Sequence, residues 1–184
     1  MSARISPLEP PFSDSISADF KTVMPAGMPP LAIFKTVAHN PRVLNRMVSG
    51  GLLDKGSISL ADRELVILRT CGLCKAEYEW GVHVAGFSAK AGFSAQQVKD
   101  TVNPLSDSTL WSADQRLLIE MVGQLHQSNQ IDDKLWADLS SSYAPEQLIE
   151  LVMVAGLYHA VSFVVNAFRI EREAFAPVFP STPV

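Results

Sequence analysis

The chain has 184 residues, long enough for one domain with a substantial buried core. Hydrophobic residues make up 47% and charged residues 18%, with a net charge of -4. No basic stripe is available to neutralise phosphates, which excludes nucleic acid as the main partner. Two cysteines are too few for a disulfide framework, and Met1–Leu8 lacks the charged-then-apolar order of a signal peptide. A cytoplasmic protein with reduced thiols is expected.

Residues 1–14 contain Pro7, Pro10 and Pro11 and lack periodicity, which reads as an extended arm available to wrap over a neighbour. A short helix is expected over Ser15–Met24, ended by Pro25-Ala26-Gly27. Pro29-Pro30 is placed to open a helix through His39, and Pro41 another to Leu53 that weakens at Gly50-Gly51. Ser59 is suited to cap a helix over Leu60–Leu73, whose apolar residues cover almost every side and mark it as central. A second helix is expected over Glu77–Lys90, stopped by Gly92. Ser94 caps a short helix to Val102, ended by Asn103-Pro104. Ser112 caps a helix over Ala113–Gln127 with an apolar stripe at Leu117, Leu118, Met121, Val122 and Leu125. Asp132 starts a short helix through Leu139, and Pro145 opens a long apolar helix reaching Arg172. Residues 175–184, with Pro177, Pro180 and Pro183, form an irregular tail. No segment alternates like a strand, so the expected fold is all-α, eight or nine helices in a single domain over residues 1–184.

Leu151–Phe168 carries no formal charge across 18 residues, close to the length of a membrane span. It contains His159, Ser162 and Asn166, and no second such run exists. A buried core or interface helix is the favoured reading, and no membrane partner is expected.

Reactive side chains concentrate in Arg63–Gly92. Glu79 and His83 are four residues apart and share a helical face. A carboxylate beside an imidazole raises its pKa and orients the ring, which suits proton transfer near neutrality. An antiparallel pairing of the two helices would bring Glu64 opposite His83, giving an acid/base cluster of Glu64, Glu79 and His83. The alternative on the same residues is an ordinary salt-bridge network of Glu64 with Arg63 or Arg69. Cys71-Gly72-Leu73-Cys74 can form a disulfide or bind zinc. Zinc would need two more ligands and only His83 is near in sequence, so no metal is expected. The pair sits at a helix end, where the dipole opposes a thiolate and Lys75 and Arg69 only partly offset it; two small buried thiols is the alternative. On a continuous helix Cys74 would point about 180° away from His83, and a break over Gly72–Ala76 would void that geometry. Tyr78 and Trp80 can line a pocket or pack. His159 reads as a core histidine, His39 and His126 as surface residues. No phosphate loop, nucleophile elbow or dinucleotide fingerprint is present, and no cofactor is expected.

This central stretch resembles the carboxymuconolactone decarboxylase family, which includes the alkylhydroperoxidase D (AhpD)-like proteins. The resemblance rests on Arg63-Glu64-Leu65, Glu77-Tyr78-Glu79-Trp80 with His83, and Ala91-Gly92-Phe93-Ser94, and it covers about Ser59 to Val102. It implies an AhpD-like all-α fold and a homo-oligomer (dimer, trimer or hexamer) with sites near subunit interfaces. In the peroxidase branch a glutamate, a Cys-x-x-Cys pair and a histidine four residues on form a proton relay and a redox pair. Glu64 and His83 fall on the glutamate and histidine positions, whereas Ala76 and Glu79 stand where the two cysteines would be. The decarboxylase-like branch uses no thiols. It implies His83, Glu64 and Glu79 as catalytic residues, with Arg63, Arg69, Tyr78 and Trp80 binding a small carboxylated lactone or ring acid. A thiol peroxidase using Cys71 and Cys74, and a non-catalytic oligomeric binding protein, are the competing expectations.

Overall fold

Helix α4 (Leu60–Leu73) is the centre of the structure, a computed structural model that describes residues 2–102 and 109–180. Ser59 caps it: its Oγ accepts from the Asp62 amide at 3.0 Å and donates to Asp62 Oδ2 at 2.7 Å. Every residue from Arg63 to Cys71 is buried, because other helices pack around the whole circumference. Full burial of Leu65, Ile67 and Leu68 contributes roughly 1.5–3 kcal/mol each.

The helices around α4 are amphipathic and carry their own caps. In chain order they are α1 (Asp14–Val23), α2 (Ala32–Val37), α3 (Pro41–Ser49), α4, α5 (Glu77–His83), α6 (Ala95–Asp100), α7 (Ala113–Ser128), α8 (Asp133–Ser142) and α9 (Pro145–Phe168). These are nine α-helices, with no strand among the described residues, as the sequence predicts. α7, α9 and α5 pack directly on α4, α8 bridges α7 and α9, and α1–α3 form a separate layer at one side. Capping boxes at Ser94–Gln97 and Ser112–Gln115 set the starts of α6 and α7 where the sequence places them.

α9 is the one described helix long and apolar enough to cross a membrane by length and composition. Here it is a core helix. Leu151, Val154, Tyr158 and Val161 face the interior, while Ile149, Met153 and Phe163 form an exposed apolar stripe. It ends at Phe168, short of Arg172, because Arg169 takes a left-handed conformation (φ +52°) and the Ile170 amide closes back on Val165 O at 3.0 Å.

Four other local expectations change. Pro29-Pro30 stays extended and α2 begins only at Ala32, whose amide is capped from the far end of the chain by Glu173 Oε1 at 2.6 Å. α3 stops at Ser49, before Gly50. The N-terminal arm lies along its own chain: Arg4 donates its amide to Phe168 O and its guanidinium to Ala167 O. The helix after His83 does not remain α; Val84–Ser88 is one π-helical turn, and the chain then stops at Gly92 with φ +78°. Asn103-Pro104 lies outside the described residues.

α4 and α5 are separated by a break within Gly72–Ala76, the case that voids the continuous-helix geometry. Cys74 ends α4, Lys75 has φ +54°, and Ala76 precedes α5. Gly72 lets the backbone at the end of α6 pack closely on α4, since a Cβ there would stand 2.6 Å from Thr101 O. That atom is backbone and cannot swing aside. Gly72→Ala is therefore expected to lower stability by about 1–3 kcal/mol, read as a lower denaturant midpoint with unchanged slope.

Candidate active site

The hairpin of α4 and α5 brings three ionisable side chains to one buried point. Glu64 is fully buried, and its Oε2 lies 2.7 Å from His83 Nδ1. On the other side of the ring, His83 Nε2 stands 3.4 Å from Glu79 Oε1, the i,i+4 pair on α5. Arg63 closes the outer end: its Nη2 is 3.1 Å from Glu64 Oε1, and its Nη1 donates to Leu53 O at 2.7 Å. The order in space is Arg63, Glu64, His83, Glu79.

Burial opposes a charge on His83, but the hydrogen bonds and charges of Glu64 and Glu79 outweigh it and raise its pKa to about 9. At neutral pH the ring is an imidazolium clamped between two carboxyl groups. Its faces are covered by Phe87 from the π turn, with ring centroids 5.2 Å apart, and by the edge of Tyr158 from α9 at 4.9 Å. Burial, reinforced by the charges of Glu79 and Glu64, pushes the Tyr158 hydroxyl well up, so it stays a neutral phenol.

Glu79 is the member of the cluster that meets open space. It lines a cavity of about 540 Å³ between the α1–α3 layer and α5, the π turn and α9. Phe34, Leu52, Phe87, Leu157 and Val161 give that cavity mostly apolar walls, with Tyr158 beside Glu79. Glu79 Oε2 is buried and has no hydrogen-bond partner. An unpartnered buried carboxylate oxygen costs stability unless something else engages it. Glu79 is the one acid of the cluster that lines this ligand-sized cavity, and there substrate polarity would be met.

The predicted cluster of Glu64, Glu79 and His83 is thus assembled, with Arg63 attached. The structure does not bring Arg69, Tyr78 or Trp80 to the cavity. Arg69 points across α4 and donates to Thr101 O at 3.1 Å. The Tyr78 hydroxyl accepts from the Ile33 amide and donates to Glu173 Oε1, so it ties α5 to α2. Trp80 donates to Thr101 Oγ1 and packs on Phe179. Cys71 is fully buried, and burial followed by the Glu79 charge pushes its thiol well above the ordinary range. Cys74 is half-buried and turned toward His126, with its Sγ 3.8 Å from that ring. Both thiols are free.

Sequence reasoning did not find the cavity walls. Tyr158 had a weak signal, a polar-tipped aromatic inside an uncharged helix. Phe34 and Leu52 had none, because they reach the site only through packing of the N-terminal layer.

The fold that holds this buried Glu–His–Glu cluster is all-α and AhpD-like. Residues 41–119, the segment that carries Glu64, Glu79 and His83, match the model of the Carboxymuconolactone decarboxylase family. No curated protein matches the chain. Among solved structures it is similar to an uncharacterized peroxidase-related protein from Ralstonia eutropha JMP134, described as an alkylhydroperoxidase AhpD core (15% identity, 94% of this chain and 95% of that one, TM-score 0.79). A second is an uncharacterized peroxidase-related protein from Silicibacter sp. TM1040 (18% identity, 94% and 92% covered, TM-score 0.77). A third is the debrominase Bmp8 in complex with 2,3,4-tribromopyrrole (15% identity, 95% and 94% covered, TM-score 0.71). At these identities the likeness shows the shared fold.

The raised pKa of His83 makes stability depend on pH. The imidazolium is favoured in the folded state, so its contribution is full below the ordinary value of 6.5 and is lost as pH rises through about 9. Unfolding free energy should fall by roughly 3 kcal/mol over that window, and His83→Gln should flatten the slope. Equilibrium denaturation of both forms at a series of pH values measures this.

Proposed function

We propose that this chain is a cofactor-free acid/base enzyme that transfers a proton to or from a small, largely apolar ring compound. The observation that carries this reading is Glu79: a carboxyl group at the cavity wall with its Oε1 3.4 Å from a histidine held protonated. Glu79 is the group that touches substrate. His83 supplies or withdraws a proton behind it, and Glu64, held by Arg63, balances the imidazolium. An electron pair released into a conjugated carbonyl, by loss of a proton or of carbon dioxide, would be quenched by the proton that Glu79 delivers. The neutral Tyr158 phenol is positioned to donate to the developing oxyanion.

Decarboxylation of a carboxylated lactone is the narrower form of this reading. It needs a cation for the substrate carboxylate, and no Arg or Lys is among the described residues lining the cavity. Arg63 is the available cation, stacked on Phe87 at 5.8 Å behind the wall. This favours proton transfer on a less charged substrate. The apolar stripe of Ile149, Met153 and Phe163 supports the expected homo-oligomer, since such a patch favours a second copy over water.

The thiol-peroxidase alternative needs a thiolate at Cys71 or Cys74; burial opposes one at both, and at Cys71 the Glu79 charge adds to it. The distinguishing measurement is solvent-deuterium incorporation, together with carbon dioxide release, over a panel of enolisable cyclic ketones, lactones and ring acids. His83→Ala and Glu79→Gln should each lose at least ~100-fold in kcat/KM, within the range of general acid/base catalysis. Cys71→Ser, checked for retained helicity, should stay within about twofold. Loss of turnover in the folded serine variant would sink the proposal.

A further inference from the structure

On the far side of α4 from the cavity, three side chains from three helices converge. Cys74 ends α4, His126 lies in the last turn of α7, and His159 lies in the middle of α9. Cys74 Sγ is 3.8 Å from His126 Nδ1, and His126 Nδ1 is 3.0 Å from His159 Nε2. All three ligating atoms lie within 4.8 Å of one another. In the chain they are separated by 52 and 33 residues, so no local motif announces them.

We propose that Cys74, His126 and His159 form a binding site for a divalent transition metal ion of the zinc type, with one coordination position open. One thiolate and two imidazoles suit a borderline-soft cation. With bonds of about 2.3 Å to sulfur and 2.0–2.1 Å to nitrogen, tetrahedral geometry sets N–N near ~3.3 Å and N–S near ~3.6 Å. The observed 3.0 and 3.8 Å are within a few tenths of an ångström of those spacings. Small side-chain rotations complete the match.

The backbone holds the ligands in place. Asn166 of α9 donates to Cys74 O at 2.9 Å, which fixes the end of α4 against the helix that carries His159. His159 packs edge-on against Phe163. A cavity of about 400 Å³ opens beside the cluster, and His126, His159, Thr70, Leu125 and Phe163 are among its lining residues. Three protein ligands plus a cavity match an open site, where water or a small anionic or thiol ligand takes the fourth position. The Arg69 cation on α4 is matched by Asp100. The site shares no residue with the Glu64–His83–Glu79 cluster, so it stands whether or not the acid/base reading holds.

Binding also determines the state of the thiols. A metal-bound Cys74 sulfur is unavailable to alkylating agents, while Cys71 is inaccessible in the folded chain.

Cobalt(II) is the probe, titrated into the reduced, metal-free, untagged protein. One equivalent should bind per chain with thiolate-to-cobalt charge-transfer absorption, and zinc should displace it. Cys74→Ser should abolish that absorption. His126→Gln and His159→Gln should each weaken binding by at least ~100-fold, beyond the usual effect of losing an outer-shell partner. Cys71→Ser should bind as the wild type does, and zinc should protect one thiol per chain from alkylation. His126 is exposed, so its replacement does not threaten the fold. Absence of charge-transfer absorption in the wild type, its persistence in Cys74→Ser, or its loss in a folded Cys71→Ser would overturn the proposal.

Discussion

The contact on which the site depends is the 2.7 Å hydrogen bond between Glu64 and His83, made where neither side chain meets water. Two ionisable groups withdrawn from solvent cost free energy that their attraction repays only with good geometry and further partners. Both conditions are met. Arg63 takes the second oxygen of Glu64, and Glu79 takes the second nitrogen of His83. The result is a chain of alternating charge that runs from the Leu53 carbonyl through α4 into α5 and ends at the cavity. Break one link and a buried charge is left uncompensated, so the interactions that order the site also bind the two central helices.

The position of Glu79 gives this chain its chemical character. In the peroxidase pattern the resemblance implies, Ala76 and Glu79 stand at the two thiol positions. Ala76 is fully buried before α5 and offers no nucleophile. Glu79 keeps the place beside the histidine with a carboxyl group instead of a thiol. The chain's own thiols fall into two different surroundings. Cys71 is sealed beneath the carboxyl groups, and Cys74 turns away toward two histidines. The two thiols share the Ser162 hydroxyl but differ in burial and in their other neighbours.

Much of this was legible in the chain. Ser59, Ser94 and Ser112 announced α4, α6 and α7, because a cap is a local hydrogen bond and local chemistry leaves a local signature. The pairing of Glu79 with His83 followed from helical spacing, and Glu64 from a hairpin of two adjacent helices. What stayed hidden was long-range. The start of α2 depends on a side chain 141 residues away, the cavity walls come from a layer that docks late in the sequence logic, and His126 and His159 meet only through tertiary packing. Tyr78 and Trp80 are of a type that suits either a pocket or packing, so residue type does not decide between the two uses. Their polar tips secure α2 and Thr101.

The borrowed cap on α2 bears on how the protein is made. A six-residue helix does not persist alone, and its N-cap residue, Leu31, has no side-chain oxygen to hold the first turn. Glu173 supplies that hold, with Tyr78 bridging the two. Phe34, which α2 contributes to the cavity wall, is therefore set only after the last part of the core has been synthesised and docked. During synthesis the Glu64–His83–Glu79 cluster of α4 and α5 can assemble first, and the cavity wall closes over it afterwards.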